Sequence, residues 1–198
     1  MKLLHARPLL WPALAGLAQA ASIALPGSGQ AHGWLPVLSL AILANGLMRI
    51  ASWRAPVALG VRRAAWFSGV FATFWLGGSF WWLYVSMHDV GGLPAPLAAL
   101  AVLLLASAVS LFYVAASVGW VVLSRRVLPR FQPGLSSLLF AAVWTLAELM
   151  RGQWFTGFPW GAGGYAHVDT LAALAPWVGV YGMGAIAALL AFALAAAL

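Results

Sequence analysis

The chain has 198 residues, of which 64% are hydrophobic, 7% are charged and none is cysteine. A soluble domain has about 25% charged residues, so ten basic and three acidic residues cannot cover a water-exposed surface. The composition therefore predicts an integral membrane protein. It also excludes disulfides, thiolate metal sites and cysteine nucleophiles within this chain.

Apolar runs bounded by Pro, Gly and Arg predict about six membrane-spanning helices, because one span needs roughly 20 apolar residues. The fourth run has 27 residues. It would be about 40 Å long against a hydrocarbon core of about 30 Å, which predicts a tilt or a kink. Short connections near Pro26 to Gly33 and Gly91 to Pro96 indicate antiparallel neighbours. We expect a single all-α domain over residues 1–198, a compact bundle with spans near Pro8 to Leu25, Trp34 to Met48, Ala64 to Val85, Leu97 to Leu123, Leu135 to Met150 and Leu171 to Leu198.

The basic residues lie on one side of the predicted spans, and the positive-inside rule makes that side and the N-terminus cytoplasmic. Because the arginines are dispersed among short loops, we read them as a topology signal and not as a nucleic-acid surface. These arginines are also expected to attract anionic lipid headgroups. The basic side carries Lys2, Arg7, Arg49, Arg54, Arg62, Arg63, Arg125, Arg126 and Arg130, and the opposite side carries His32, His88, Asp89, Arg151, His167 and Asp169.

The N-terminus permits a second interpretation. Lys2 and Arg7, an apolar stretch and then Ala18-Gln19-Ala20 also fit the three regions of a signal peptide. Cleavage near Ala21 would remove the first span, and this alternative stays open.

Glu148 is the only acidic residue inside an apolar run. A charge at mid-membrane costs roughly 3 kcal/mol on insertion scales, so Glu148 needs a partner or a wet pocket. Arg151 lies three residues on and Trp144 four residues back, close to the same helical face. Two interpretations stay open: an ion pair that closes the helix at the outer interface, or a site for a lipid headgroup or for another domain.

The segment Gly152 to Asp169 follows directly. Pro159 and four glycines disfavour a continuous helix, whereas its aromatic residues are too apolar for a freely solvated loop. We expect it to fold back onto the bilayer surface, either as interfacial anchors or as an ordered loop that shapes a lipid-sized cleft. The aromatic residues are Trp154, Phe155, Phe158, Trp160 and Tyr165.

Gly69, Thr73 and Gly77 recur every four residues in the third run, which predicts a smooth face for close helix packing. Trp82 and Tyr84, near the outer end of that run, fit an aromatic belt or the entrance for an acyl chain. No two histidines have the spacing of metal ligands. No Ser or Thr is paired in sequence with a residue that could act as its general base. We therefore predict no metal and no cofactor.

The TGFPW stretch, Thr156 to Trp160, follows a Glu and an Arg-Gly and is a specific signal. With it, most of residues 64–187 resembles the membrane half of bacterial apolipoprotein N-acyltransferase. The matching residues are Trp144, Glu148, Arg151-Gly152, Thr156-Gly157-Phe158-Pro159-Trp160, Gly164-Tyr165, Leu174-Ala175-Pro176, Gly179-Val180, and Trp82 to Ser86 followed by Gly91 to Pro94.

The resemblance implies an inner-membrane enzyme that moves an acyl chain from a phospholipid to the α-amino group of a lipoprotein's diacylglyceryl cysteine. It implies a helical bundle joined to a nitrilase-like domain that supplies a Glu, a Lys and a Cys. In the family mechanism the cysteine carries the acyl group as a thioester. This chain has no cysteine, its only lysine is Lys2 and its only glutamate is Glu148, so none of the triad carries over.

We therefore expect a catalytically silent membrane half, and the bare apolar end at Leu198 suggests a fragment of a longer protein. Its expected role is to hold the catalytic domain and to shape a path for phospholipid and lipoprotein acyl chains. A small-solute transporter and a noncatalytic scaffold are the alternatives. The site residues predicted by motif match are Glu148, Arg151, Phe158, Pro159, Trp160 and Tyr165, with Trp82 and Tyr84 behind them.

Overall fold

The structure is a computed structural model that describes residues 9–25, 27–127 and 132–198. Within these ranges all regular structure is helical, so the predicted all-α class is confirmed. A π-helical turn, Ser86–Val90, continues the fourth helix, and three 3-10 turns lie between the last two helices, at Trp154–Thr156, Gly163–His167 and Ala172–Leu174. The α-helices are α1 Leu10–Ala21, α2 Trp34–Ser52, α3 Val57–Ser79, α4 Trp81–Val85, α5 Ala95–Val127, α6 Pro133–Gln153 and α7 Ala175–Ala197.

Four helical segments of the described chain are long and apolar enough to cross a membrane, which agrees with an integral membrane protein. They are Trp34–Ser52, Ala95–Val127, Pro133–Thr156 and Ala172–Ala197. Helix α1 has only 12 residues, and α3 carries two arginines near its start. The count of about six spans therefore stays a prediction.

The helix in the first predicted span is shorter than that span. Its helix ends at Ala21 and not at Leu25. Ser22 explains the end, because its hydroxyl donates to the main-chain oxygen of Gln19 at 2.7 Å and its amide closes a tight turn onto the same oxygen. Five residues named in the sequence predictions lie outside the described ranges: Lys2, Arg7, Pro8, Pro26 and Arg130.

Helix α3 begins before the predicted third span, which starts near Ala64. Arg62 and Arg63 belong to the first turns of α3 and not to a loop, because the helix begins at Val57, directly after Pro56. Arginine is a good helix former. The guanidinium of Arg63 also stacks on Trp53, 3.8 Å from the ring centroid, which holds the helix start against the α2–α3 connection.

The fourth apolar run, for which the sequence predicts a tilt or a kink, forms helix α5. The structure gives a helix of 33 residues, Ala95–Val127, without a helix break. By contrast, α7 breaks at Gly179, whose φ of 63° and ψ of −176° are not helical. Among the α-helices of the described ranges, the last one therefore contains the break.

An aromatic column fills the interior of the bundle. Trp144 of α6 stacks on Trp75 of α3 at 5.9 Å and on Phe140 at 5.8 Å. Tyr113 of α5 lies 4.8 Å from both tryptophan rings. All four side chains are at most 2% exposed, so they form a rigid core that ties α3, α5 and α6 together.

The predicted small-residue face of α3 packs against α5. Thr73 donates to the hydroxyl of Ser110 at 3.3 Å. A Cβ on Gly69 would lie 3.5 Å from Val114, and one on Gly77 would lie 3.9 Å from Ala106. Positions 69, 73 and 77 thus face positions 114, 110 and 106 across an antiparallel helix pair, as the spacing of four residues predicts.

Candidate functional site

Two charged side chains are buried near the end of α6. Glu148 is 3% exposed and Arg151 is 1% exposed. An ionised group without water must be satisfied by protein dipoles and opposite charge. The site is therefore defined by the groups that these two residues contact.

Arg151 holds the loop that follows its own helix. Its Nη1 donates to the main-chain oxygens of Phe158 at 2.8 Å and Trp160 at 2.7 Å, and its Nη2 donates to that of Pro159 at 3.5 Å. The amide of Phe158 donates a hydrogen bond to the main-chain oxygen of Arg151 at 2.9 Å. One guanidinium thus neutralises three successive carbonyl dipoles.

Glu148 holds the same loop further on. Its Oε1 accepts from the hydroxyl of Tyr113 at 2.9 Å and from the amide of Gly163 at 3.4 Å. Its other oxygen, Oε2, lies 3.9 Å from Arg151 Nη2. The pair is therefore a loose ion contact in which each partner makes shorter hydrogen bonds to other groups.

This geometry narrows the two interpretations of the pair. The charges do not simply close the helix, because their hydrogen bonds cross to residues 158–163 and to α5. Both side chains are buried. Glu148 and Arg151 brace the loop through these hydrogen bonds, and their role toward a lipid headgroup or another domain stays a prediction.

The braced loop has a strained entry. Phe155 and Thr156 have φ values of 52° and 75°, a left-handed conformation that is uncommon outside glycine. Gly157 continues it at φ 77°, where a Cβ would lie 2.2 Å from the main-chain oxygen of Gly152. At the other side, a Cβ on Gly164 would lie 1.9 Å from the oxygen of Val180. The glycines allow the loop to lie directly on α7.

The loop presents an aromatic surface. Phe158 turns inward against Phe80 in an edge contact at 5.0 Å, whereas Trp160 remains 55% exposed. Trp82 supports Trp160 from α4, with ring centroids 5.1 Å apart. Further exposed aromatic and apolar residues of this surface are Trp154, Phe155, Tyr165, Val168 and Trp177.

The predicted site residues are thus mostly brought together. Glu148, Arg151, Phe158, Pro159, Trp160 and Tyr165 share the loop and its brace, and Trp82 joins them. Tyr84 does not show such a contact, because its ring lies 5.3 Å from His88 and packs toward the helical core.

Two residues of the site are absent from the sequence prediction. Tyr113 is fully buried and donates to Glu148. Gln19 is also fully buried, and a Cβ on Gly163 would lie 3.4 Å from its Nε2. Each is a large polar side chain within a predominantly apolar run, which is the signal that could have found it.

A second contact joins the loop to the start of α2. His167 is 3% exposed, and its Nδ1 lies 3.3 Å from the hydroxyl of Thr170. A Cβ on Gly33 would lie within 3.0 Å of both side chains. Burial lowers the pKa of His167 from its usual 6.5, which favours the neutral imidazole.

The arrangement orders a surface. Two buried charges, a tyrosine and close glycine contacts fix one loop at the end of the bundle. The fold and the site together define an all-α integral membrane domain that presents a rigid aromatic loop.

Comparison with known proteins identifies the family. Residues 15–193 match the family model described as the apolipoprotein N-acyltransferase N-terminal domain. The chain belongs to the apolipoprotein N-acyltransferase family, as its motifs suggest.

Similar curated proteins carry the same name. The apolipoprotein N-acyltransferase of Verminephrobacter eiseniae is 54% identical over 184 residues, which cover 92% of this chain and 33% of that protein. Those of Ralstonia nicotianae and Chromobacterium violaceum are 46% and 41% identical, over 83% and 82% of this chain. The chain spans about a third of the length of the curated relatives it matches.

Proposed function

We propose that this chain is the membrane portion of an apolipoprotein N-acyltransferase in the bacterial inner membrane. The enzyme would transfer an acyl chain from a phospholipid to the N-terminal amine of a diacylglyceryl-cysteine lipoprotein. Family membership supports the proposal. The chemistry would need groups from outside this chain, which has no cysteine, one lysine and one glutamate.

The proposed role of this portion is to present the aromatic loop to acyl chains or to the catalytic domain. One observation carries it: Glu148 and Arg151, both buried, grip the loop from two sides and leave Trp160 and Tyr165 about half exposed. A rigid interfacial surface made of large rings offers contact area to a lipid chain at little entropic cost. The positive-inside rule would put this end on the outer side and the arginine-rich end in the cytoplasm.

A chimaera tests the proposal. Residues 15–193 of this chain would replace the matching third of the Verminephrobacter eiseniae enzyme, and the product would be assayed with a labelled phospholipid and a synthetic diacylated lipopeptide. We expect acyl transfer by the chimaera. We expect at least a tenfold loss for Trp160→Ala, since a truncated aromatic anchor typically costs 2 kcal/mol or more.

The matched control is Trp34→Ala. Trp34 is 60% exposed, close to the value for Trp160, but it begins α2 and its ring lies 6.4 Å from that of His32, whereas Trp160 packs on Trp82. Its chimaera should keep the activity of the parent within about twofold. Equal losses in both variants would contradict the role of the loop, and a well-folded chimaera without any transfer would favour a noncatalytic scaffold.

A further inference from the structure

An apolar groove runs along the outside of α3 and α5, at the opposite half of the bundle from the aromatic loop. Its volume is about 370 Å³. Gly69 and Thr73 form part of its floor, and Trp66, Phe74 and Leu111 stand at its sides with 65%, 44% and 63% of their surfaces exposed. The groove is therefore open to the surroundings of the bundle and not a sealed core cavity.

The length of the groove matches one leaflet. Its α3 residues extend from Ala65 to Phe74. Nine residues rise by about 13 Å in a helix, and one leaflet contributes about half of a 30 Å hydrocarbon core. One extended acyl chain that stays within its own leaflet therefore fits the groove from end to end.

Arg62 lies at one end of this groove. It precedes Ala65 by three residues and Trp66 by four, so it stands one helical turn away on the same face of α3. Its side chain is exposed. Among the residues that the structure describes, none makes a hydrogen bond or an ion pair with it.

The other cations at this end are mostly engaged. Arg125 donates to the main-chain oxygens of Ile50, Ala51, Trp53 and Ala55. Arg63 stacks on Trp53, and Arg49 donates to Asn45 at 2.7 Å. The three acidic residues of the sequence, Asp89, Glu148 and Asp169, all belong to the opposite end. Arg62 thus carries a charge with no acid of this chain to balance it.

We propose that the α3–α5 groove and Arg62 form a binding site for one anionic phospholipid. The phosphate pairs with the guanidinium of Arg62, and one acyl chain lies in the groove from Ala65 to Phe74. A planar guanidinium binds phosphate oxygens in a bidentate way, and an apolar floor opened by Gly69 accepts methylenes without displacing a side chain. This site is separate from the loop and does not depend on the proposed acyl transfer.

Native mass spectrometry of the detergent-purified chain tests the site. Phosphatidylglycerol and phosphatidylcholine with identical acyl chains would be titrated, and the fraction with one bound lipid measured. We expect phosphatidylglycerol to bind the wild type more tightly than phosphatidylcholine. Arg62→Gln should weaken phosphatidylglycerol binding about fivefold, the equivalent of about 1 kcal/mol for one arginine near an anionic group. It should weaken phosphatidylcholine binding less, because the choline cation offsets the phosphate charge that Arg62 attracts.

Two further variants separate charge from shape. Arg54→Gln removes another exposed arginine that lies before α3, and it should change phosphatidylglycerol binding by less than twofold. Gly69→Leu fills the groove, since a Cβ there meets only Val114 at 3.5 Å, and it should weaken both lipids. Equal effects of Arg62→Gln and Arg54→Gln, equal binding of the two lipids to the wild type, or unchanged binding by a folded Gly69→Leu variant would each overturn the site.

Discussion

Arg151 donates a hydrogen bond to the main-chain oxygen of Trp160 at 2.7 Å, across nine residues of sequence. A buried side chain of α6 thereby fixes the backbone beneath an exposed tryptophan. The buried charge of Arg151, which is costly in a membrane, thus stabilises the loop that carries the exposed surface. The first prediction tests this role.

Replacing Arg151 by Met should release the loop. Glu148 and three carbonyls would lose their cationic partner, a change that costs about 3–5 kcal/mol for buried pairs. The chain has no cysteine, so Ala166→Cys, at a position 1% exposed, gives a single reporter. We expect maleimide labelling of this cysteine to become at least tenfold faster in the Arg151→Met background. An Arg54→Met background is the control, and equally fast labelling in both would contradict the bracing role.

Tyr113 and Glu148 should be energetically coupled. The hydroxyl of Tyr113 donates to Glu148 Oε1 at 2.9 Å inside the bundle. A double-mutant cycle with Tyr113→Phe and Glu148→Gln should give a coupling of about 0.6 kcal/mol, the average for hydrogen bonds between membrane helices, and of at most about 1.7 kcal/mol. Reversible unfolding in mixed micelles supplies the free energies. Additive single effects would show that this hydrogen bond contributes nothing to stability.

Gly16→Ala should destabilise the bundle. A Cβ at this position would lie 2.2 Å from the main-chain oxygen of Phe71, so α1 would have to move away from α3. Overpacking of this kind costs about 1–3 kcal/mol. Gly119→Ala is the matched control, since a Cβ there meets nothing within 4 Å and should stabilise α5 by up to about 1 kcal/mol. Thermal unfolding of both variants measures the difference, and a Gly16→Ala variant as stable as the wild type would show that α1 is not closely packed.

Stability should fall in acid because of His167. Burial lowers the pKa of His167, so the unfolded chain binds its proton more readily than the folded chain does. The stability it contributes is present above about pH 6.5 and is lost as the pH falls further. The neighbouring carboxylate of Asp169 is exposed and makes no ion pair with His167 within the described residues. His167→Gln should flatten the dependence of the unfolding temperature between pH 7.5 and pH 5. An unchanged pH dependence in a folded His167→Gln variant would contradict this role of His167.

The orientation has its own test. We expect the arginine-rich end to face the cytoplasm and the braced loop to face outward. Arg54→Cys and Asp169→Cys place single cysteines at exposed positions of the two ends. A membrane-impermeant maleimide added to spheroplasts should label position 169 and spare position 54. The reverse pattern would overturn the orientation.

Local chemistry explains which elements the sequence predicts well. The centres of the helices follow from long apolar runs, and the packing face of α3 follows from small residues every four positions. The helix ends differ from the ends of the predicted spans where a single side chain determines the helix boundary. Ser22 ends α1 early, and Pro56 together with the Arg63–Trp53 contact begins α3 early. These contacts depend on tertiary geometry, which hydropathy does not contain.

In the candidate site, too, some features follow from the local sequence and others depend on tertiary contacts. Glu148 and Arg151 stand out because charges are rare in an apolar run, and the TGFPW motif marks the loop. The identity of their partners could not be predicted, because Arg151 bonds to backbone oxygens, which every residue has. Gln19 shows how context changes an interpretation: within Ala18-Gln19-Ala20 it resembles a cleavage site, whereas in the fold it is buried beside Gly163. Cleavage of the first span stays untested.

The length of α5 constrains the position of the bundle in the membrane. Its 33 residues form a helix of about 50 Å. Even a tilt of about 40°, the upper end of the observed range, leaves roughly 38 Å along the membrane normal against a core of about 30 Å. Part of α5 therefore lies outside the hydrocarbon at any normal tilt. The helix therefore extends into the headgroup region at the α4–α5 turn, at the end that carries Arg125 and Arg126, or at both ends.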